Sequence, residues 1–183
     1  MGHDGRDHSH HSHQASSPAA REHKSHAPAQ VAVFVATCSD SRDARSDETG
    51  TAIRGKLADA GHTVCGYRVI RDEPELIRST LSEAQLAGAR AVIFNGGTGI
   101  GKRDNTLEVL NLIFEKHLPG FGEIFRRLSY DEIGSPAMMS RAAAGTFAGM
   151  IVFALPGSPN AVALAMDRLV LPELGHAVGE LVR

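Results

Sequence analysis

Apolar positions along the chain come mostly in short continuous blocks separated by helical-period stretches. Val31-Ala32-Val33-Phe34-Val35-Ala36 is unbroken and rich in β-branched residues, as for a strand covered on both faces. A polar loop, 38–49, follows. Then comes a helix with Ala52, Ile53, Leu57 and Ala60 on one face and Gly61 just past its end. Residues 63–70 read as a second strand. Asp72-Glu73-Pro74 opens the next helix, with Pro74 at a first-turn position, an apolar face of Leu76, Ile77, Thr80, Leu81 and Ala84, and Gly88 at its end. Residues 91–94 form a third strand. A glycine-rich loop leads from it into an amphipathic run with Leu107, Leu110 and Phe114, where Asn105 and Glu108 have capping-box spacing.

Pro119-Gly120-Phe121 breaks that helix. Residues 122–128 read as a short helix and 135–144 as helix-like. Residues 149–155 form a further buried strand that runs into Pro156-Gly157-Ser158-Pro159. An amphipathic helix with Val162, Leu164, Met166, Leu169 and Val170 follows, and a last helix begins near Pro172. Strands alternating with helices predict an α/β fold, a parallel sheet with helices on both faces and right-handed crossovers.

Residues 1–30 stand apart. They hold seven of the ten histidines (His3, His8, His10, His11, His13, His23 and His26) among Ser, Ala and Pro, with almost no large apolar residue. Such a segment buries too little surface to offset its ordering entropy, so the sequence predicts a disordered tail before a folded domain, 31–183. His-His and His-x-His spacing also suits weak Ni, Cu or Zn binding, with a solvated tail as the plainer reading.

Composition narrows the function classes. The chain has 183 residues and a formal net charge of −2 with no basic block, which gives no footing for nucleic acid. No run of about 18 apolar residues suggests a membrane span, and the N-terminus lacks the apolar stretch of a secretory signal. Cys38 and Cys65 lie at the end of one apolar run and inside another, as for free buried thiols in a reducing, cytoplasmic compartment.

In a parallel sheet the loop after each strand emerges on the same edge, where open α/β sheets bind ligands. Read in order, those loops are Thr37-Cys38-Ser39-Asp40-Ser41-Arg42, then Arg71-Asp72-Glu73, then Gly96-Gly97-Thr98-Gly99-Ile100-Gly101-Lys102-Arg103-Asp104, then Pro156-Gly157-Ser158-Pro159. The third is a strand, glycine loop and helix start, the geometry of a phosphate cradle, although it fits neither the Walker A spacing nor the dinucleotide fingerprint and also suits an ordinary turn. Backbone amides, Arg42, Lys102 and Arg103 offer donors to phosphate. Asp72 and Asp104 would repel a bare phosphate and make sense with a hard divalent cation between, as Mg²⁺ is held by one or two carboxylates plus substrate phosphates. The combination points to phosphoryl or nucleotidyl transfer. Structural alternatives stay open. Asp72 also suits a helix cap, Asp104 a partner for Arg103, Arg42 and Lys102 solvated charges, and Ser158 an N-cap. His62, His117 and His176 have no partner at catalytic spacing.

The segment Gly96-Gly97-Thr98-Gly99-x3-Arg103-Asp104-x-Thr106 resembles the signature of the MoaB/Mog family of molybdenum cofactor biosynthesis proteins. Other segments agree: Ser39-Asp40-Ser41-Arg42 with Asp47-x-Thr49-Gly50, Gly61-His62-x-Val64, Pro119-Gly120-Phe121-Gly122-Glu123-x-Phe125-Arg126-x-Leu128-Ser129, Glu132-Ile133-Gly134-x3-Met138-x-Ser140-Arg141-Ala142, Leu155-Pro156-Gly157-Ser158-Pro159 and Leu171-Pro172-Glu173-Leu174. They span residues 31–180 in order. Two positions depart from the family's habit: Asn105, where an apolar residue or Gln is usual, and Leu107-Glu108, where Pro and an acidic residue are frequent.

The resemblance implies a three-layer α/β/α sandwich around a mostly parallel sheet, assembled as a homotrimer or hexamer. It implies a nucleotidyltransferase, molybdopterin adenylyltransferase, that converts ATP and molybdopterin to adenylyl-molybdopterin and pyrophosphate with Mg²⁺. Asp72 and Asp104 match the two aspartates that matter most in active members, and would be catalytic and hold the metal. Gly96, Gly97, Thr98 and Gly99 would bind the nucleotide. Ser39, Arg42, Ser140, Arg141 and Ser158 would line the molybdopterin side. A molybdenum insertase is a potential partner. Alternatives are a non-catalytic molybdopterin-binding paralogue or scaffold, an insertase domain (disfavoured by the short chain), and metal delivery through the tail.

Overall fold

The computed structural model describes residues 27–182; the histidines expected in a disordered tail lie outside the described residues. The elements run β1 (Ala32–Cys38), α1 (Glu48–Asp59), β2 (Thr63–Ile70), α2 (Pro74–Leu86), β3 (Ala91–Asn95), α3 (Thr106–Ile113), β4 (Lys116–His117) and α4 (Pro119–Ile133). A 3-10 turn (Ser135–Met139), β5 (Ala143–Phe147), β6 (Met150–Leu155), α5 (Pro159–Ala165), a π turn (Met166–Val170) and α6 (Leu171–Leu181) follow. One six-stranded sheet has the order β2-β1-β3-β6-β5-β4. The first four strands are mutually parallel, and β5 and β4 add to that edge in antiparallel fashion.

Strand β1 shows why the sheet is covered on both sides. Val33 and Val35 point into one core with Ile53 and Leu57 of α1, Phe125 of α4 and Leu174 and Val178 of α6. Phe34 and Ala36 point into the other with Ile77, Leu81 and Ala84 of α2 and Leu110 of α3. Successive strand residues face opposite ways, so a continuous apolar run needs a helical layer on each face. Each large side chain buried this way contributes roughly 2–3 kcal/mol.

Several elements differ from the sequence expectation. The inward face of α1 is Thr49, Gly50, Ile53 and Leu57, whereas Ala52 and Ala60 are exposed. Small alanines leave the phase of a helix poorly marked, and Asp47, whose carboxylate accepts the Gly50 amide, sets the true start. Helix α4 covers 15 residues where a short helix over 122–128 was expected, because Pro119 occupies its first turn instead of preceding it. The stretch expected to be helix-like, 135–144, is only a 3-10 turn before β5 begins. Strand β5 is masked in the sequence by small residues, Ala143, Ala144 and Gly145, and pairs with β6 through a two-residue turn at Ala148 and Gly149. Both turn residues have positive φ, 48° and 74°, the twist a tight hairpin requires. The capping box at Asn105 does not form: its side chain makes no cap bond, and Glu108 pairs instead with Arg141.

Candidate functional site

The carboxyl ends of β1, β3 and β6 meet at one edge of the sheet. The Gly96 amide donates to the Leu155 carbonyl at 3.0 Å, which ties the glycine loop to the loop after β6. A Cβ on Gly96 would lie 2.2 Å from the Cys38 carbonyl oxygen, and φ there is +92°. Only glycine lets three strand ends converge this closely.

Past Gly96 the loop is held from two sides. The Gly101 amide donates to Asp104 Oδ2 at 2.8 Å, and the Asp104 amide donates back to the Gly101 carbonyl at 3.0 Å. From the opposite side Arg141 donates through Nε to the Thr98 carbonyl at 2.8 Å and through Nη2 to the Gly99 carbonyl at 2.7 Å, while Nη1 pairs with Glu108 at 2.8 Å. A planar guanidinium supplies this fork and an ammonium cannot. With those carbonyls engaged, the amides of Gly97, Thr98 and Gly99 donate no hydrogen bond to any described residue. Three unengaged donors in one loop are the donor set that an anion cradle requires.

A cavity of about 550 Å³ opens in front of them. Its walls bring together Gly96, Gly97, Thr98, Gly99, Asp104, Ser140, Arg141 and Ser158, all expected at a ligand site. The far wall comes from α4 and the 3-10 turn, through Glu132, Ile133, Pro136 and Met139, and from Asn160 at the start of α5. Of these, Glu132 and Ile133 stood in a segment resembling the family's but carried no expected site role, and Pro136, Met139 and Asn160 were not singled out, since the helix there read as ending at 128. Ser158 does cap α5, accepting the Ala161 amide at 3.3 Å, and still borders the cavity. Ser39 and Arg42 do not reach it. Ser39 Oγ accepts the amides of Ser41 and Arg42 within its own turn, and Arg42 donates to Thr49 Oγ1 and borders a separate pocket beside Tyr67.

Asp72 sits directly behind the cradle, 5 % exposed. Its Oδ2 accepts the Asn105 amide at 2.8 Å and its Oδ1 accepts from Thr106 Oγ1 at 2.9 Å, while Asn105 Nδ2 donates to its backbone carbonyl at 2.8 Å. Asp72 therefore braces the start of α3 across the loop and does not cap α2, whose N-terminus has no side-chain cap. Burial pushes its carboxyl above the usual range; the bonds from Asn105 and Thr106 pull it back, and the charges of Asp104 and Asp40 push it up again. Asp40 itself is paired with Arg103 at 2.7 Å and held low by that guanidinium.

A second polar cluster lies beneath the cradle and escaped the sequence reading. Asp47 accepts hydrogen bonds from Thr37 Oγ1, from the Tyr67 hydroxyl at 2.6 Å, from Thr49 Oγ1 at 3.1 Å and from the Gly50 amide at 3.0 Å. Asn95, one residue before Gly96, donates to Thr37 Oγ1 at 2.8 Å and accepts from Thr49 at 2.9 Å. Burial raises Asp47, but its donors outweigh that and hold the carboxyl below the usual range; burial first, then the hydrogen bond to Asp47, pushes Tyr67 up to about 12. The only trace in sequence was the segment Asp47-x-Thr49-Gly50.

Comparison with known proteins agrees with this geometry. A family model described as a probable molybdopterin binding domain matches residues 33–176. The molybdenum cofactor biosynthesis protein B of Bacillus anthracis is 46% identical over 168 residues, covering 88% of this chain and 97% of its own length. A solved molybdenum cofactor biosynthesis protein B superposes with a TM-score of 0.82 at 44% identity, over 86% of this chain and 99% of the other. The tungsten cofactor synthesizing protein MoaB from Pyrococcus furiosus superposes with a TM-score of 0.79 at 36% identity, over 86% and 100%. By its sequence, its sheet and the loops that meet at one edge of it, the chain belongs to the MoaB/Mog family of molybdenum cofactor biosynthesis proteins.

Proposed function

We propose that this protein acts in molybdenum cofactor biosynthesis as a molybdopterin adenylyltransferase. The observation that carries the reading is the unengaged cradle of Gly97, Thr98 and Gly99 amides, with Asp104 on its rim and Asp72 behind it. In this reading the cradle binds the phosphates of ATP. Arg141 fixes the loop's shape, and the cavity continues past Ser140 and Ser158 toward Ile133, Pro136 and Met139, an end with apolar surface for a pterin ring. A terminal phosphate oxygen of molybdopterin attacks the α-phosphorus of ATP. The bond from that phosphorus to the bridging oxygen breaks, and pyrophosphate leaves. The protein's part is positioning and charge stabilisation.

The residues fit a divalent cation. Asp72 is a buried carboxylate with no cationic side chain bonded to it, Asp104 is a second hard oxygen donor nearby, and the three carboxylate oxygens that accept a hydrogen bond each keep a lone pair beyond it. Among the described residues no group of three or more His, Cys, Asp or Glu forms a metal cage, so substrate phosphates would complete the coordination. Mg²⁺ held there would neutralise charge on the phosphates during transfer.

The reading extends to assembly. Ile124, Tyr130 and Met138, none of which lines the cavity, are exposed along α4 and the turn after it, and Met138 is 82 % exposed. Exposed apolar side chains of this kind suit a homotrimer, or a hexamer built from two. No helix among the described residues is long and apolar enough to cross a membrane. A cytoplasmic site of action and hand-over of the product to an insertase follow from the same reading.

The test is release of pyrophosphate from ATP by the purified chain with Mg²⁺, requiring molybdopterin. Asp72→Ala and Asp104→Ala should abolish it while pterin binding persists. Full turnover by either variant would remove the metal role.

A further inference from the structure

Asp72 and Asp104 reach the glycine loop from different stretches of chain. Asp72 follows β2 and lies behind Gly97, while Asp104 closes the loop and packs against Gly99 and Gly101. Separate donors hold the two carboxylates: the Asn105 amide and the Thr106 hydroxyl for Asp72, the Gly101 amide for Asp104. These bonds fix each carboxylate within its own surroundings. They do not fix one aspartate relative to the other.

The side chain of Asn105 supplies that link. Its Nδ2 donates to the Asp72 carbonyl at 2.8 Å and to the Arg103 carbonyl at 3.1 Å. An amide NH2 carries two N–H donors, and both partners are acceptors only, so the nitrogen and not the oxygen of the side chain faces them. One contact grips the backbone of Asp72 itself. The other grips the planar peptide that joins Arg103 to Asp104, whose N–H on the opposite edge donates to the Gly101 carbonyl at 3.0 Å. Asn105 stands at the N-cap of α3 but makes no cap bond, so its side chain serves the loop and not its own helix.

We infer that Asn105 is a positioning residue that sets the spacing of Asp72 and Asp104 for a divalent cation, an inference that rests on the adenylyltransferase reading above. Mg²⁺ demands near-ideal ligand geometry, so two carboxylates already at the right spacing bind it better than two that must first be ordered. Asn105 acts through the two backbones and touches neither the cation nor a substrate. Asn105→Ala isolates this role, because the bond from residue 105 to the Asp72 carboxylate comes from the backbone amide and the Thr106 bond is untouched.

Calorimetric titration with ATP, in Mg²⁺ and in EDTA, tests the assignment. Mg²⁺ should tighten ATP binding to the unaltered protein at least about tenfold. In Asn105→Ala that gain should drop to about twofold or less, as for loss of a group that orients a metal ligand. Affinity in EDTA should be unchanged, because the amides of Gly97, Thr98 and Gly99 remain, and the melting temperature should stay within about 4 °C. Asn105→Leu, close to Asn in shape but without donors, should behave in the same way and carries the test if the alanine variant does not fold. No Mg²⁺ gain in the unaltered protein would overturn the metal role of the two aspartates and this inference with it. A gain that the variants retain would overturn this inference alone. An equal loss of affinity in EDTA would also overturn it, by making Asn105 a support of the loop as a whole.

Discussion

The Asp72 carboxylate fills the place a side chain on Gly97 would take: a Cβ on Gly97 would lie 2.2 Å from Asp72 Oδ2, at a φ of +64°. The buried carboxylate and the glycine loop are thus one construction. Gly97→Ala forces either the loop or Asp72 to move. It should cost at least about 2 kcal/mol, from the left-handed backbone and the displaced carboxylate together, and should remove nucleotide binding. Urea unfolding and calorimetric titration with ATP measure the two effects separately.

The raised carboxyl of Asp72 makes a prediction whose sign is opposite to the usual one for an acid. A folded-state value above the unfolded value means that its contribution to stability is greatest below the unfolded pKa and is lost as pH rises through the folded one. Asp72→Asn should therefore be at least as stable as the unaltered protein at pH 7, yet inactive. Melting temperatures across pH 4–8 test this; a variant clearly less stable at neutral pH would contradict it.

Asp47 behaves in the reverse sense. Its folded-state carboxyl is held low, so its contribution is present above the unfolded pKa and lost as pH falls through the folded value. Asp47→Ala strands the hydroxyls of Thr37 and Tyr67 and the Gly50 amide, and should cost about 3 kcal/mol or more. Tyr67→Phe removes one charged hydrogen bond and should cost roughly 1.5–3 kcal/mol. Denaturant titrations at pH 7 give both numbers, and the Asp47→Ala deficit should shrink at acid pH.

Much of this was legible beforehand because long-range packing leaves a strong mark. The run from Val31 to Ala36 announced a doubly covered strand, and strand-end logic brought Asp72 and Asp104 to one edge before any coordinates. What escaped depends on contacts without sequence period. Strand β5 is made of residues too small to mark an apolar face. Glu108 reads as a capping partner until Arg141, distant in sequence, claims it. Asp47 and Asn95 are buried polar groups whose meaning lies wholly in each other's neighbours. Arg42 and Ser39 share the rim in sequence order, but their loop turns toward Tyr67 and away from the cavity.

Arg141 should behave as a shaper of the loop. Arg141→Lys keeps the charge beside Glu108 but cannot serve two carbonyls in a planar fork. We expect ATP affinity to fall about tenfold, roughly 1.4 kcal/mol, with little change in melting temperature. Unchanged affinity would mean that the loop holds its form without the guanidinium.

The hairpin turn offers a control far from the site. Ala148 adopts a φ of 48°, unfavourable for a residue with a Cβ. Ala148→Gly or Ala148→Asn should raise stability by up to about 1 kcal/mol, and activity should not change. Thermal unfolding is sufficient to see it.

The central claim, that the cradle and its two aspartates transfer an adenylyl group, is tested most directly by the mass of the pterin product. Purified protein incubated with ATP, Mg²⁺ and molybdopterin should yield molybdopterin carrying one adenylyl group, with one pyrophosphate released per product. Recovery of molybdopterin unchanged after prolonged incubation with active, ATP-binding protein would contradict it.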